Sequence, residues 1–226
     1  MTTTTGTITP HTTLADLAAT RAGASRVFYR HGLDFCCHGR VSLADACAKA
    51  QLSVDALVRE LEAETSIQTD FRRWDEQPLA DLIQHLLDQY HAAHRAELPR
   101  LLEMARKVEK VHADKSSCPR GLADHLDRVG EELEAHMQKE EQVLFPMLLA
   151  GRGRSASMPI QIMEEEHEDH GRNLARLREL THDFTPPEEA CGTWRALYLG
   201  LHELDELLMQ HIHLENNVLF PRALRS

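Results

Sequence analysis

His136-Met137-Gln138-Lys139-Glu140-Glu141-Gln142-Val143-Leu144-Phe145-Pro146 returns 75 residues later as His211-Ile212-His213-Leu214-Glu215-Asn216-Asn217-Val218-Leu219-Phe220-Pro221. Each copy carries His-x-x-x-Glu ahead of Val-Leu-Phe-Pro. A shift of 76 instead lays His91 on His167 and His94 on His170, so the helix upstream of each copy repeats in its histidines. The repeat unit is a helix pair, and two such pairs with short connections make a four-helix bundle. An i, i+4 spacing stacks His and Glu on one helical face, where both reach a common point. That face is also the apolar one. Leu126, Val129, Leu133, His136, Glu140 and Val143 step by threes and fours, as do Leu201, Leu204, Leu208, His211, Glu215 and Val218. Ile160, Met163, His167, His170, Leu174 and Leu177 form a third such stripe.

Polar side chains thus stand where leucine belongs, and an uncompensated buried charge costs several kcal/mol. A cation is the simplest partner. Zinc commonly takes four ligands, often with thiolate, and its His-Glu-x-x-His helix signature is absent; magnesium and calcium prefer oxygen to imidazole. His91, His136, Glu140, His167, His211 and Glu215 instead suit two iron or manganese ions bridged by the carboxylates, and iron is the expectation. His-x-x-x-Glu also differs from the Glu-x-x-His of ferritin-like bundles. Two ferrous ions with two bridging glutamates leave a positive site that would take an oxide, hydroxide or small diatomic ligand. His94 and His170, one turn from proposed ligands, are read as orienting groups or extra ligands, whereas His85, His112, His125, His182, His202 and His213 are read as surface or satisfied core histidines.

Departures from the repeat mark where the two metals would be treated differently. Glu132 falls on Leu207 and Glu166 on Tyr90. These two carboxylates are the candidates for moving protons to the open side of the metal pair or for an exit route for an ion.

The remaining composition sets the frame. Strand signals are scarce and helix formers fill long stretches, so the 226-residue chain reads as all-α. Residues 1–13 read as a flexible tail without a secretory signal, and 14–65 as a small helical domain with candidate helices over 14–29, 41–50 and 54–63. A linker over 66–77 leads to the bundle at 78–226, with helices expected near 78–111, 119–145, 158–181 and 189–220. A net charge of −11 disfavours nucleic acid and anionic lipid, and no apolar run approaches the roughly 20 residues of a membrane span. Five cysteines, an odd number, argue for reduced thiols and a cytoplasmic location.

Leu33-Asp34-Phe35-Cys36-Cys37-His38-Gly39 is the second informative stretch. Its vicinal cysteines, between Asp34 and the basic His38 and Arg40, are expected to have partial thiolate character, whereas Cys47, Cys118 and Cys191 are read as structural. With the repeat, this segment resembles the hemerythrin-like bundles and, more closely, the Repair of Iron Centers family, over about 14–224. The resemblance implies a non-haem di-iron centre on the six residues above. It also implies a cysteine-bearing domain that could form a homodimer, and a role in restoring iron-sulfur clusters after oxidative or nitrosative damage. Iron-sulfur proteins would be the partners and iron donation the activity. The alternatives are reduction of nitric oxide to nitrous oxide, or a sensor of nitric oxide or oxygen. His38 departs from the glycine expected after the cysteines. Because no fifth imidazole is marked by the repeat, simple oxygen transport is disfavoured.

Overall fold

The computed structural model describes residues 7–67 and 71–225. They separate into two compact units, one of 1–82 with 209–226 and one of 83–208.

The first unit holds α1 (Leu14–Thr20), α2 (Ala24–Arg30), α3 (Leu43–Ala50) and α4 (Val54–Ile67). The starts of α1, α3 and α4 follow from capping side chains. Thr13 Oγ1 accepts from the Asp16 N–H at 3.0 Å, Ser42 Oγ from Asp45 at 3.1 Å and Ser53 Oγ from Ala56 at 3.3 Å. The helix expected over 14–29 is two helices, because the chain turns at Gly23 with φ +73°, a left-handed conformation that only glycine adopts freely. Leu14, Leu17, Val27, Phe28, Phe35, Leu43 and Leu61 fill the core, and Arg30 pairs with Glu60 across α2 and α4 at 2.7 Å. Of the expected tail, residues 1–6 lie outside the described residues. Residues 8–13 are tied down: Ile8 is buried, and the Pro10 and Thr12 carbonyls accept from Ala44 and Leu43. Within the expected linker, 68–70 lie outside the described residues, and Arg222 donates to the Trp74 and Gln77 carbonyls at 2.7 and 2.5 Å.

The second unit contains the four rods. α5 (Leu79–His85) runs from the first unit through a π turn (Leu86–His91) into α6 (Ala92–Val111). α7 (Leu122–Lys139) passes through a π turn (Glu140–Leu144) into α8 (Phe145–Leu149), and α9 (Ser157–Thr181) comes next. α10 (Gly192–Leu214) carries the chain back into the first unit, where a π turn (Glu215–Leu219) leads to α11 (Phe220–Ala223). Neighbouring rods touch in a ring. Arg95 on α6 meets Glu134 on α7 at 2.8 Å, and His125 on α7 meets the Asn173 carbonyl on α9 at 2.9 Å. Arg178 on α9 meets Asp205 on α10 at 2.6 Å. α10 closes on α6 at Gly200, where a Cβ would lie 2.6 Å from Leu101 Cδ2.

The π turns are the feature that sequence periodicity does not carry. The N–H groups of Ala92, Phe145 and Phe220 bond to the carbonyls of Leu87, Glu140 and Glu215, five residues back. In the two repeat copies the next residue is Pro146 or Pro221, which has no N–H and clashes with the carbonyl four back, so the ladder slips at that point. The slip rotates the helical register by about one residue. Val143, expected on the inward stripe, is 50% exposed, while Leu144 is buried in its place. Val218 in the second copy stays buried, in a turn against which α1 packs.

Asp205 is fully buried and Arg178 half-buried. Arg178→Met, which keeps the apolar stem but leaves the carboxylate without its guanidinium, is expected to lower stability by about 3 kcal/mol in urea unfolding. A loss within experimental error would show that this pair does not hold α9 to α10.

Candidate metal centre

Within the second unit, His91 ends one π turn, Glu140 begins the next, and His136 and His167 project from α7 and α9. All four are at most 1% exposed. The Glu140 carboxylate is divided between two imidazoles: Oε2 lies 3.4 Å from His91 Nε2, and Oε1 lies 3.6 Å from His136 Nε2. His136 Nε2 faces His167 Nε2 at 3.1 Å. Nitrogen and oxygen donors about 2.1 Å from a common ion stand about 3.0 Å apart along an octahedral edge and about 3.4 Å along a tetrahedral one, so these separations suit cation ligands better than hydrogen bonds.

The far sides of the rings are fixed by carboxylates. His91 Nδ1 meets Glu141 Oε1 at 2.7 Å, and His136 Nδ1 meets Glu166 Oε2 at 2.9 Å. A carboxylate on Nδ1 sets the tautomer that leaves Nε2 as a lone-pair donor and raises its basicity. Arg95 bonds the same Glu141 oxygen at 2.7 Å. Burial pushes Glu141 up, but the guanidinium and His91 outweigh it and hold the carboxyl below its ordinary range. Lys139 pairs with the other oxygen of Glu166, Oε1.

In the first unit, His211 and Glu215 are at most 1% exposed and one helical turn apart, with Nε2 to Oε1 at 3.2 Å. His91, His136, Glu140 and His167 in the second unit, and His211 and Glu215 in the first, are each among the buried side chains whose chemistry could hold a metal ion.

Glu132 and Glu166 differ in position. Glu166 contacts the ligand candidate His136 directly, whereas Glu132 is exposed and accepts from Asn173 Nδ2 at 2.7 Å. Both line one cleft of about 460 Å³, with Lys139 and His170. His170 is buried with its ring edge-on to His136, centroids 4.9 Å apart. His94 is fully buried and lines a separate cleft of about 360 Å³ between α6 and α7. Tyr90, the repeat counterpart of Glu166, is buried, and burial pushes its phenol up to about 12. The carboxylate on His91 comes from Glu141, which has no counterpart in the contact between Glu166 and His136. Sequence reading passed over Glu141 and Arg95, although Glu141 directly follows the ligand candidate Glu140.

The cysteine loop is built by hydrogen bonds to one carboxylate. Asp34 Oδ1 accepts from the Cys36 and Cys37 N–H groups at 3.1 and 3.0 Å and from the Cys36 thiol at 3.3 Å, and His38 Nδ1 meets Oδ2 at 2.7 Å. The thiolate character expected here is corrected for Cys36. Its Cys37 neighbour, burial and the Asp34 charge push this thiol well above its ordinary range, and His38 meets the carboxylate rather than acting on the sulfur. The loop is clamped from the end of α10. His213 Nδ1–H donates to the Phe35 carbonyl at 3.2 Å with its ring edge-on to Phe35, and Asn217 Nδ2 donates to the Phe35 and Cys36 carbonyls at 3.2 and 2.9 Å. Elsewhere, Cys118 donates to the Glu109 carbonyl, and His112 meets Cys191 Sγ at 3.3 Å.

A helical bundle with paired His-x-x-x-Glu motifs on buried faces points to a class of cation-binding protein, and the chain belongs to it: residues 82–223 match the hemerythrin HHE cation binding domain family. Residues 10–65 match a second family, described as a domain of unknown function (DUF542). The chain is 49% identical to the iron-sulfur cluster repair protein YtfE of Pectobacterium carotovorum subsp. carotovorum (strain PC1), over 94% of this chain and 96% of that protein. It is 50% identical, with the same coverage, to the protein of that name from Yersinia pseudotuberculosis serotype O:1b (strain IP 31758).

Because Glu141 and Glu166 fix the rings of two ligand candidates, His91 and His136, Glu141→Gln and Glu166→Gln are each expected to weaken ferrous binding by about 10–100-fold with the helical circular dichroism signal retained. Unchanged affinity in both would remove them from the centre. His213 makes a separate prediction for the metal-stripped protein. Burial, partly opposed by the Phe35 carbonyl, pushes its imidazole down to about 4. The unfolded chain therefore takes up a proton near pH 6.5 that the folded one refuses until about pH 4. Stability from this group is full above pH 6.5 and falls as pH drops toward 4, by about 2 kcal/mol between pH 7 and 5. His213→Asn, which keeps a short amide donor, should be less acid-sensitive than the parent by that amount in urea unfolding at the two pH values.

Proposed function

We propose that this protein repairs iron-sulfur clusters damaged by oxidative or nitrosative stress. On this reading it donates iron from a carboxylate-bridged di-iron centre held by His91, His136, Glu140, His167, His211 and Glu215. The observation that carries the reading is the division of Glu140 between His91 and His136, each oxygen turned to a different imidazole at 3.4 and 3.6 Å. A carboxylate so placed suits two ions rather than one. The duplicated His-x-x-x-Glu gives Glu215 the same role beside His211, and the names of the relatives supply the repair function.

Iron bound there would supply redox capacity and coordination positions open to a small ligand such as nitric oxide or oxygen. The chain's own residues do the rest. Glu141 and Glu166 hold His91 and His136 in their donor tautomers. Glu132, Glu166 and Lys139 give the cleft beside His136 a charged lining through which a proton or a departing ion can be passed. With no thiolate among the six ligands, the set should release ferrous iron more readily than a thiolate cage, and more so as falling pH protonates the imidazoles.

The test is iron quantification in reduced protein together with transfer to an apo-cluster acceptor. The parent is expected to load two irons per chain, and Glu140→Leu and Glu215→Leu at most one, with helicity preserved. Activity should track iron lost to the acceptor. A folded parent that refuses a second equivalent would sink the di-iron assignment. Multiple-turnover nitrous oxide production with iron retained would replace donation by nitric oxide reduction, and reversible nitric oxide or oxygen binding with neither would indicate a sensor.

A further inference from the structure

The Asp34-to-Gly39 loop gathers donors of a different kind from those in the bundle. Cys36 Sγ and Cys37 Sγ lie 3.8 Å apart. An Asp34 carboxylate oxygen lies with both sulfurs inside a sphere of contacts no longer than 4.8 Å. Two thiolates each about 2.3 Å from one tetrahedral ion stand about 3.8 Å apart, so the sulfurs are already at the span a single ion requires. The loop is also held in that shape. The Phe35 and Cys36 carbonyls are tied by His213 and Asn217, Phe35 is fully buried, and a Cβ on Gly39 would lie 2.3 Å from the Phe35 oxygen.

The charge pattern separates two uses of such a cysteine pair. A nucleophilic thiolate needs positive charge beside it. Here the nearest charge is a carboxylate, which opposes thiolate formation. A divalent cation among the three donors reverses the sign of that effect, since it is attracted by the same carboxylate that repels an isolated thiolate. Cys37 is only half-buried, and the Asp34 side chain is 41% exposed, so an ion can enter from solvent and a fourth position is left for water or an incoming ligand.

We propose that Asp34, Cys36 and Cys37 form a second, mononuclear site for a thiophilic divalent cation of the zinc or ferrous class, apart from the histidine and glutamate ligands. Binding forms two metal–sulfur bonds and one metal–oxygen bond and releases the two thiol protons to solvent, with no change of oxidation state. His38 positions the carboxylate through its 2.7 Å contact with Oδ2. The proposal stands whether or not the bundle holds iron.

Cobalt(II) titration of the reduced full-length chain under nitrogen tests it, because a thiolate-to-cobalt charge-transfer band in the near ultraviolet arises from cysteine ligands and not from imidazole or carboxylate. The band is expected to saturate at one ion per chain and to vanish on adding zinc. It should be lost in the Cys36→Ser/Cys37→Ser double variant and retained in Cys47→Ser, Cys118→Ser and Cys191→Ser. Asp34→Asn keeps an acceptor for the loop N–H groups but removes the charge, and should weaken cobalt binding at least tenfold. Circular dichroism confirms that each variant is folded. A folded parent without the band, a band that survives loss of Cys36 and Cys37, or saturation at two chains per ion would overturn the site. An unchanged affinity in Asp34→Asn would strike the carboxylate from it.

Discussion

Burying imidazoles and carboxylates along an otherwise apolar stripe is the constraint on which this protein turns. At Leu126, Val129 and Leu133 the stripe on α7 stabilises the bundle by removing apolar surface from water. One turn further on, the same stripe presents His136 and Glu140, which gain nothing from burial and lose their hydration. The arrangement is tenable because the groups are spaced to share positive charge, and because carboxylates at the edge hold the rings in one tautomer. The leucine-packed part of the rods provides stability, and their ligand-bearing ends offset some of it.

The orienting carboxylates show how two imidazoles of the same helix pair come to sit in unequal surroundings. His91 is turned by Glu141, which comes from the helix that also carries Glu140, whereas His136 is turned by Glu166 from α9. Arg95 braces the first and Lys139 the second. Only the second assembly opens on the cleft that also holds Glu132 and His170. The two imidazole–carboxylate assemblies thereby differ in their access to that cleft and in their electrostatic surroundings.

The first unit organises sulfur in the same way. A single carboxylate, Asp34, holds the cysteine loop together, and the side chains that clamp the loop, His213 and Asn217, flank the ligand candidate Glu215 in the chain. The thiols and the ligand candidate Glu215 are thus carried by one compact body.

Helix-forming composition determined the all-α class, and the repeat the helix pairs and the candidate donors, because a period near 3.6 with His and Glu in leucine positions has few physical readings. It could not determine the break at Gly23 inside the expected 14–29 helix, since the apolar pattern continues across a turn that a left-handed glycine allows. Nor could it place Val143 outside, because the π turn before Pro146 shifts the register by one residue and an ideal-helix count has no provision for that. Cys36 was misread for a related reason: proximity in sequence to His38 and Arg40 suggested positive charge at the sulfur, but the folded loop gives His38 to Asp34. Which groups are buried is written in local spacing except where a π turn shifts the register, as at Val143. Which carboxylate meets which imidazole depends on distances between helices, and only the packed chain sets those.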